Sequence, residues 1–352
     1  MTASRWMRAT DILDGFALPA ELEAARPPEK RGVARDGVRL MVTTCEGVRH
    51  RRFTELVDVL SPGDLLVVNN SKTLPAAVAL DDSRVVHFST DLPGGLRVVE
   101  LRRSGIEGSH PDFDVDPGTT RLPDGSSLEL LSPFPVDSTT RRLWVAHVDG
   151  GDGVDSLLRR YGRPIGYSHT ARDLPLEAYQ TVFATTPGSA EMPSAGRPFS
   201  HRLVTGLVSR GVSIAPLTLH TGVSSLESGE PPFPETYAVP QTTVDMVDLT
   251  RKRGGRVIAV GTTVVRALET ITDPSGRAHA GSGWTELVIG RDTALRAVDG
   301  MITGWHEPHS THLDILVAVA GRRAVARSYE TALEHGYLWH EFGDSHLLIN
   351  EG

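Results

Sequence analysis

"GGRVIAVGTTVVRALETI", residues 254–271, decides the fold. Val257 to Val260 run without a polar break and read as a buried strand. At Gly261 the rhythm turns helical, so a strand passes through a tight glycine turn into a helix carrying Arg266 and Glu269. A helix start leaves backbone N–H groups unpaired, and its dipole favours an anion there. Gly261, Thr262 and Thr263 form that turn, where threonine caps by accepting from N–H groups further on. Arg266 returns to the same face one turn later, and its planar fork suits a carboxylate. The stretch predicts a site for a carboxylate or phosphate. The plainer reading is a capped helix with a surface arginine, in which Arg266 and Glu269 make a helix-face ion pair. The spaced glycines and later acidic residue of a dinucleotide-binding turn are missing.

Working outward, Leu65 to Val68 reads as a second buried strand, ended by Asn69 and Asn70 and followed by another extended piece after Pro75. From there to about Gly153, short Val- and Leu-rich runs alternate with Gly, Pro, Asp and Ser clusters. This block predicts an all-β module of five or six strands. Beyond it lie helices over 154–164, 201–211, 242–252 and 311–319 and in "RSYETALEHG", with strands over 213–222 and 285–290; residues 298–310 read as a loop. Alternating strands and helices predict an α/β domain, residues 1–72 with 154–352, into which 73–153 inserts as a barrel-like all-β domain.

The 352-residue length fits two domains, since single cores rarely grow past ~250 residues. With 39% apolar and 23% charged residues the chain is an ordinary globular one. Its single cysteine, Cys45, supplies neither an internal disulfide nor a multi-cysteine zinc site, and a reducing, cytoplasmic home is expected. No apolar run approaches the ~18–20 residues of a membrane span, so no membrane partner is expected. A formal charge of -8 argues against coating on nucleic acid. Any such partner must meet a local patch among the runs at 49–52, 102–103, 159–160, 251–253 and 322–323, and only their convergence would make one.

Six blocks, in order, carry a resemblance. "RVIAVGTTVVRALET" is similar to RVIAVGTT-S-VR-x-LE-S of the S-adenosylmethionine:tRNA ribosyltransferase-isomerase family of queuosine biosynthesis. "SPGDLLVVNNSKTLPA" resembles that family's PGDLLV-x-N-x-T-RV-x-PA, and "YQTVFATTPGSAEMPSAG" resembles YQTVYA-x-x-PG-x-x-A-x-PTAG. "LTLHTG" matches T-LH-x-G, "VDGMITGWHEPHST" looks like VD-x-L-x-TNFH-x-P-x-ST, and "EHGYLWHEFGDSHLLI" looks like EHGYRFFSYGDAMLI. The resemblance implies an α/β domain with an inserted β-barrel. It also implies an enzyme that donates the ribosyl carbons of S-adenosylmethionine to a 7-aminomethyl-7-deazaguanine in tRNA, giving epoxyqueuosine-tRNA, adenine and methionine. S-adenosylmethionine is then a co-substrate, and no other cofactor is implied.

Such chemistry needs a base for the acidified C5′ proton, an acid for the departing adenine and a neutral amine, which suits histidines and buried carboxylates. His220 ends a strand where α/β sheets present ligands, and His306 precedes a helix start; both match family histidines. Glu269 and Glu235 match family glutamates. These four are the catalytic candidates. Gly261, Thr262, Thr263, Arg266, Asn69, Asn70, Ser194 and Gly196 are the candidates for holding S-adenosylmethionine. For Asn69 and Asn70 a plain turn is the alternative.

His306, His309 and His312 spell H-x-x-H-x-x-H, yet helical steps would carry the first and last rings ~120° apart, and Pro308 interrupts; a loop could still gather them, but two of the three replace non-histidine positions of the resembled family. No metal site is expected. Several positions depart from the family: Pro198 and Phe233 stand for histidines, Arg197 adds a cation, Lys72 replaces an arginine, and Ser224 and Leu226 replace a glycine and an aromatic. A different acceptor, such as another nucleoside or a small molecule, is therefore a rival reading. A non-catalytic RNA- or nucleoside-binding protein is another. Oligomeric state is not legible.

Overall fold

The computed structural model describes residues 12–105, 108–135, 141–167, 169–171, 174–223, 232–308 and 310–350. Two large sheets organise them. The first has nine strands in the order Gly281–Thr285, Glu235–Val239, Ser213–Leu219, Leu65–Asn69, Val257–Val260, Gly300–Thr303, Ser345–Ile349, Arg39–Thr44 and Gly47–Arg52. Its centre is parallel: Leu65–Asn69 lies between Ser213–Leu219 and Val257–Val260, which is followed by Gly300–Thr303. These inner strands are apolar because both faces are covered.

Alternation along them sorts the core into two layers. Leu65, Val67, Val257 and Ala259 face one cluster, with Val244, Val265, Leu316 and Val325 of the helices Gln241–Lys252, Thr262–Thr270, His312–Ala320 and Arg322–Glu334. Leu66, Val68, Ile258 and Val260 face the other, with Leu56, Phe199, Leu203 and Leu207. The strand period of two thus produces a helix layer on each face of one sheet.

The second sheet is antiparallel and has eight strands among the described residues. In spatial order these are Gly162–Arg163, Ala77–Ala79, Arg84–Asp91, Leu96–Gly105, Leu143–Asp149, Ser127–Phe134 and Gly118–Arg121, with Gly108–Pro111 also paired to Leu96–Gly105. The strands beyond the expected five or six are short pieces such as Gly118–Arg121, hidden in turn-rich sequence where periodicity has too few residues to register. Val86, Phe88, Val99, Leu128 and Trp144 form its core, joined by Leu157 and Leu158 of the helix Val154–Tyr161. Inside it Glu100 accepts from Arg142 Nε at 2.6 Å and from Arg102 Nη1 at 3.0 Å, with His87 Nδ1 at 3.4 Å. Burial alone would raise the Glu100 carboxyl, but His87 and the two guanidiniums hold it down at about 2.

Two local expectations are corrected. The strand expected over 285–290 is Gly281–Thr285, because this segment pairs with Glu235–Val239 before the chain turns away. Gly300–Thr303, expected as loop, is a central strand parallel to Val257–Val260.

Candidate functional site

The carboxyl ends of the parallel strands face the second sheet across a cleft of about 420 Å³. Thr221, Val260, Gly261 and Thr303 line it from one side, and Ser89, Thr90, Val98 and Leu143 from the other. This is where an α/β sheet gathers ligands.

Gly261 is the N-cap of the helix Thr262–Thr270, at φ 102° and with no side chain capping the helix. The threonine cap expected from the sequence is therefore absent, and the helix start opens on the cleft through Gly261, Thr262 and Thr263. A Cβ on Gly261 would lie 3.3 Å from Ala195 Cβ in a backbone region that L residues avoid.

Arg266, one turn on, is buried in the cleft wall. Its fork is filled by the chain itself: Nη1 donates to Glu235 Oε2, and Nε to the Leu287 carbonyl at 3.1 Å. Glu235 Oε1 accepts the Gly222 N–H at 3.2 Å. Burial raises the Glu235 carboxyl above its ordinary value, with Arg266 opposing. The helix-face pair of Arg266 with Glu269 does not form; Glu269 accepts the backbone N–H of Arg296 at 2.9 Å and of Ala297 at 2.7 Å.

His306 lines the cleft and bonds Thr303 Oγ1 through Nε2 at 2.8 Å. His312 comes beside it, with ring centroids 4.6 Å apart. The segment before His312 is not helical, so the angular argument that separated these rings does not apply. His309 lies outside the described residues. Burial pushes the His306 imidazole well below its ordinary value, helped by the neighbouring histidines, and pushes His312 down to about 4, helped by Arg266. Burial thus favours the neutral form of both rings.

Other candidates stand behind this surface. Asn69 spends its amide on the strands, accepting from Ser71 N–H at 3.0 Å and Leu219 N–H at 3.1 Å and donating to Leu219 O at 2.8 Å. Asn70 accepts from Thr218 Oγ1 at 2.6 Å. His220 bonds Ser71 Oγ at 2.7 Å and sits against Gly188, where a Cβ would come within 2.5 Å of its ring. Ser194 lines the cleft, while Gly196 packs against Thr181 and Phe183. Among the departures, Phe233 lines the cleft; Arg197 is buried and pairs with Glu29 at 3.0 Å; Ser224 and Leu226 lie outside the described residues.

Sequence reasoning passed over Tyr167, His169, Glu191, Glu307, His340 and Glu341, which also line the cleft. The only signal for His340 and Glu341 was that "WHEFGD" differs from the resembled pattern. His169, Glu307 and His340 bring three potential ligand atoms within 4.8 Å of one another. The two rings are stacked at 3.8 Å with planes 17° apart, and His169 Nε2 is engaged by Glu341 Oε2 at 2.9 Å.

A cleft at the strand ends, walled by a bare helix start, a buried Arg–Glu pair and two histidines, is a small-molecule site on a two-sheet α/β scaffold. The chain belongs to the queuosine biosynthesis protein family, whose model matches residues 14–348. It is 34% identical over 359 residues to the S-adenosylmethionine:tRNA ribosyltransferase-isomerase of Symbiobacterium thermophilum, covering 97% of this chain and 100% of that one. To the protein of the same name from Rubrobacter xylanophilus it is 37% identical, with 97% and 98% covered. The crystal structure of S-adenosylmethionine tRNA ribosyltransferase from Thermotoga maritima matches with a TM-score of 0.53 at 27% identity, covering 96% of this chain and 100% of that one. No helix among the described residues is long and apolar enough to cross a membrane.

Proposed function

We infer that this chain is an S-adenosylmethionine:tRNA ribosyltransferase-isomerase. It transfers and isomerises the ribosyl unit of S-adenosylmethionine onto 7-aminomethyl-7-deazaguanine in tRNA, forming epoxyqueuosine-tRNA and releasing adenine and methionine. The observation that carries this reading is the end-to-end match to relatives of that name, at 34% and 37% identity. A reaction on tRNA fits a protein of the cytoplasm.

The cleft supplies what the chemistry asks for. The bare start of the helix Thr262–Thr270 offers N–H groups to the amino-acid carboxylate of S-adenosylmethionine. Glu235, held by Arg266 and Gly222, keeps the wall beside that helix start in place. The sulfonium acidifies the C5′ protons; His306 or His312 removes one, the ylide opens the sugar and adenine leaves with a proton. The neutral amine then attacks, and methionine departs as the epoxide forms. His220, Asn69, Asn70 and Glu269 act as positioning residues, since their side chains bond the framework behind the cleft.

The test is adenine release from S-adenosylmethionine, assayed with tRNA carrying the precursor base, with tRNA lacking it, and without tRNA. Release only with the precursor supports the reading. Release with another acceptor, or without any, replaces it with a different group transfer, and binding without release replaces it with a non-catalytic role.

A further inference from the structure

One wall of the cleft carries more negative charge than the ribosyl chemistry uses. Tyr167 donates its hydroxyl to Glu191 Oε2 at 2.9 Å and stacks on His169 at 5.6 Å, and His169 stacks in turn on His340 at 3.8 Å. His169 Nε2 bonds Glu341 Oε2 at 2.9 Å, and Glu307 Oε1 lies 3.9 Å from His340 Nε2, beyond hydrogen-bond reach. Burial works against a charge on His169, but the bond to Glu341 lifts its imidazole above the ordinary value.

Three features mark this wall as built for a ligand. His340 sits at φ 71°, a conformation a non-glycine residue holds only under constraint. Its Nε2 is buried and has no hydrogen-bond partner among the described residues. Of the described residues lining the cleft Arg266 is the only arginine or lysine, and Glu235 neutralises it. A phosphate is therefore repelled from this wall, and a cation or a row of N–H donors is attracted.

We propose that Glu191, Glu307, His340 and Glu341 form a subsite that reads the donor-rich, amine-bearing edge of a planar heterocyclic acceptor. Glu191 and Glu307 accept its N–H groups, and His340 Nε2 completes the set. The assignment rests on the proposed function for the identity of the acceptor base, and adds which residues select it.

The test compares the wild type with Glu191→Gln, Glu307→Gln and the triple variant Glu191→Gln/Glu307→Gln/His340→Phe. Measured are the Kd for S-adenosylmethionine, the KM for precursor tRNA, and the Kd for free 7-aminomethyl-7-deazaguanine. Expected are an S-adenosylmethionine Kd within about twofold, and an acceptor KM and base Kd raised about tenfold in the triple variant and several-fold in the single ones, as for lost charge-assisted bonds. Normal turnover with unchanged acceptor KM in the variants overturns the subsite and leaves the proposed function standing. If the wild type turns nothing over with tRNA, that function falls, and the base Kd decides the subsite alone: loss of binding in the variants supports it, and no binding to the wild type overturns it. Should the triple variant not fold, the two single variants decide between the same outcomes.

Discussion

Arg266 and Glu235 are 31 residues apart in sequence and form a buried ion pair in the cleft wall. The arginine that the sequence offered to a ligand carboxylate is held by one of the protein's own. Arg266 therefore bears on the cleft through Glu235.

Arg266→Ala leaves Glu235 buried without its counter-charge, and breaking such a pair costs about 3–5 kcal/mol. Urea unfolding should show that loss. Arg266→Ala/Glu235→Gln should recover part of it, because no uncompensated charge remains. Additive losses in the double variant would mean that the two side chains do not stabilise each other.

His306→Gln and His312→Gln separate the two cleft histidines. Removing the group that takes the C5′ proton should lower kcat by about 10²–10⁴-fold with the S-adenosylmethionine Kd little changed. The other substitution should act mainly on that Kd or on stability. Two variants that keep full kcat would take both rings out of the reaction.

Acid should destabilise the fold in two steps. His312 and His340 are pushed down to about 4 and His346 to about 3, chiefly by burial, so the unfolded chain binds protons that the folded one refuses. Stability contributed by these groups is present above their ordinary value of 6.5 and is lost as pH falls from there toward 4 and 3. Glu100 adds a second loss, present above 4.5 and gone as pH falls through about 2. Urea midpoints from pH 7.5 to pH 4 should decline, and His346→Met should flatten the decline. An unchanged slope would show that His346 titrates alike in both states.

Glu100→Gln tests the second sheet apart from the cleft. It leaves Arg142, 1% exposed, without its carboxylate and should cost about 3–5 kcal/mol. Thermal unfolding should show the loss as a lower Tm than the wild type's.

Gly188→Ala tests His220 without touching its side chain. The added methyl would come within 2.5 Å of the ring and push it from Ser71. If His220 positions the cleft floor, kcat/KM should fall about tenfold or more, as a displacement near 1 Å does at a catalytic centre. Unaltered kcat/KM in a folded variant would leave His220 a packing residue.

Much of the scaffold was readable locally. Val257–Val260 and Leu65–Asn69 are strands because uninterrupted apolar runs announce burial on both faces, and Gly261 breaks the first of them as expected. Gly118–Arg121 and Gly162–Arg163 escaped because such short pieces become strands only when a neighbour supplies the hydrogen bonds. Of the candidate site residues, Gly261, Thr262, Thr263, Arg266, Glu235, Ser194 and His306 line the cleft; Asn69, Asn70, His220, Gly196 and Glu269 do not.

By itself the sequence determined the longer apolar strands and amphipathic helices, where the strand–glycine–helix turn falls, and, through the order of its motifs, the family. Only the tertiary structure decided which polar side chains meet a ligand and which clamp the backbone. Buried polar groups must find partners, and those partners come from remote segments: Asn69 bonds Leu219 across 150 residues, and His169 meets Glu341 across 172. Local spacing carries periodicity but no record of such meetings, so the anionic wall of the cleft becomes visible only when the chain is folded.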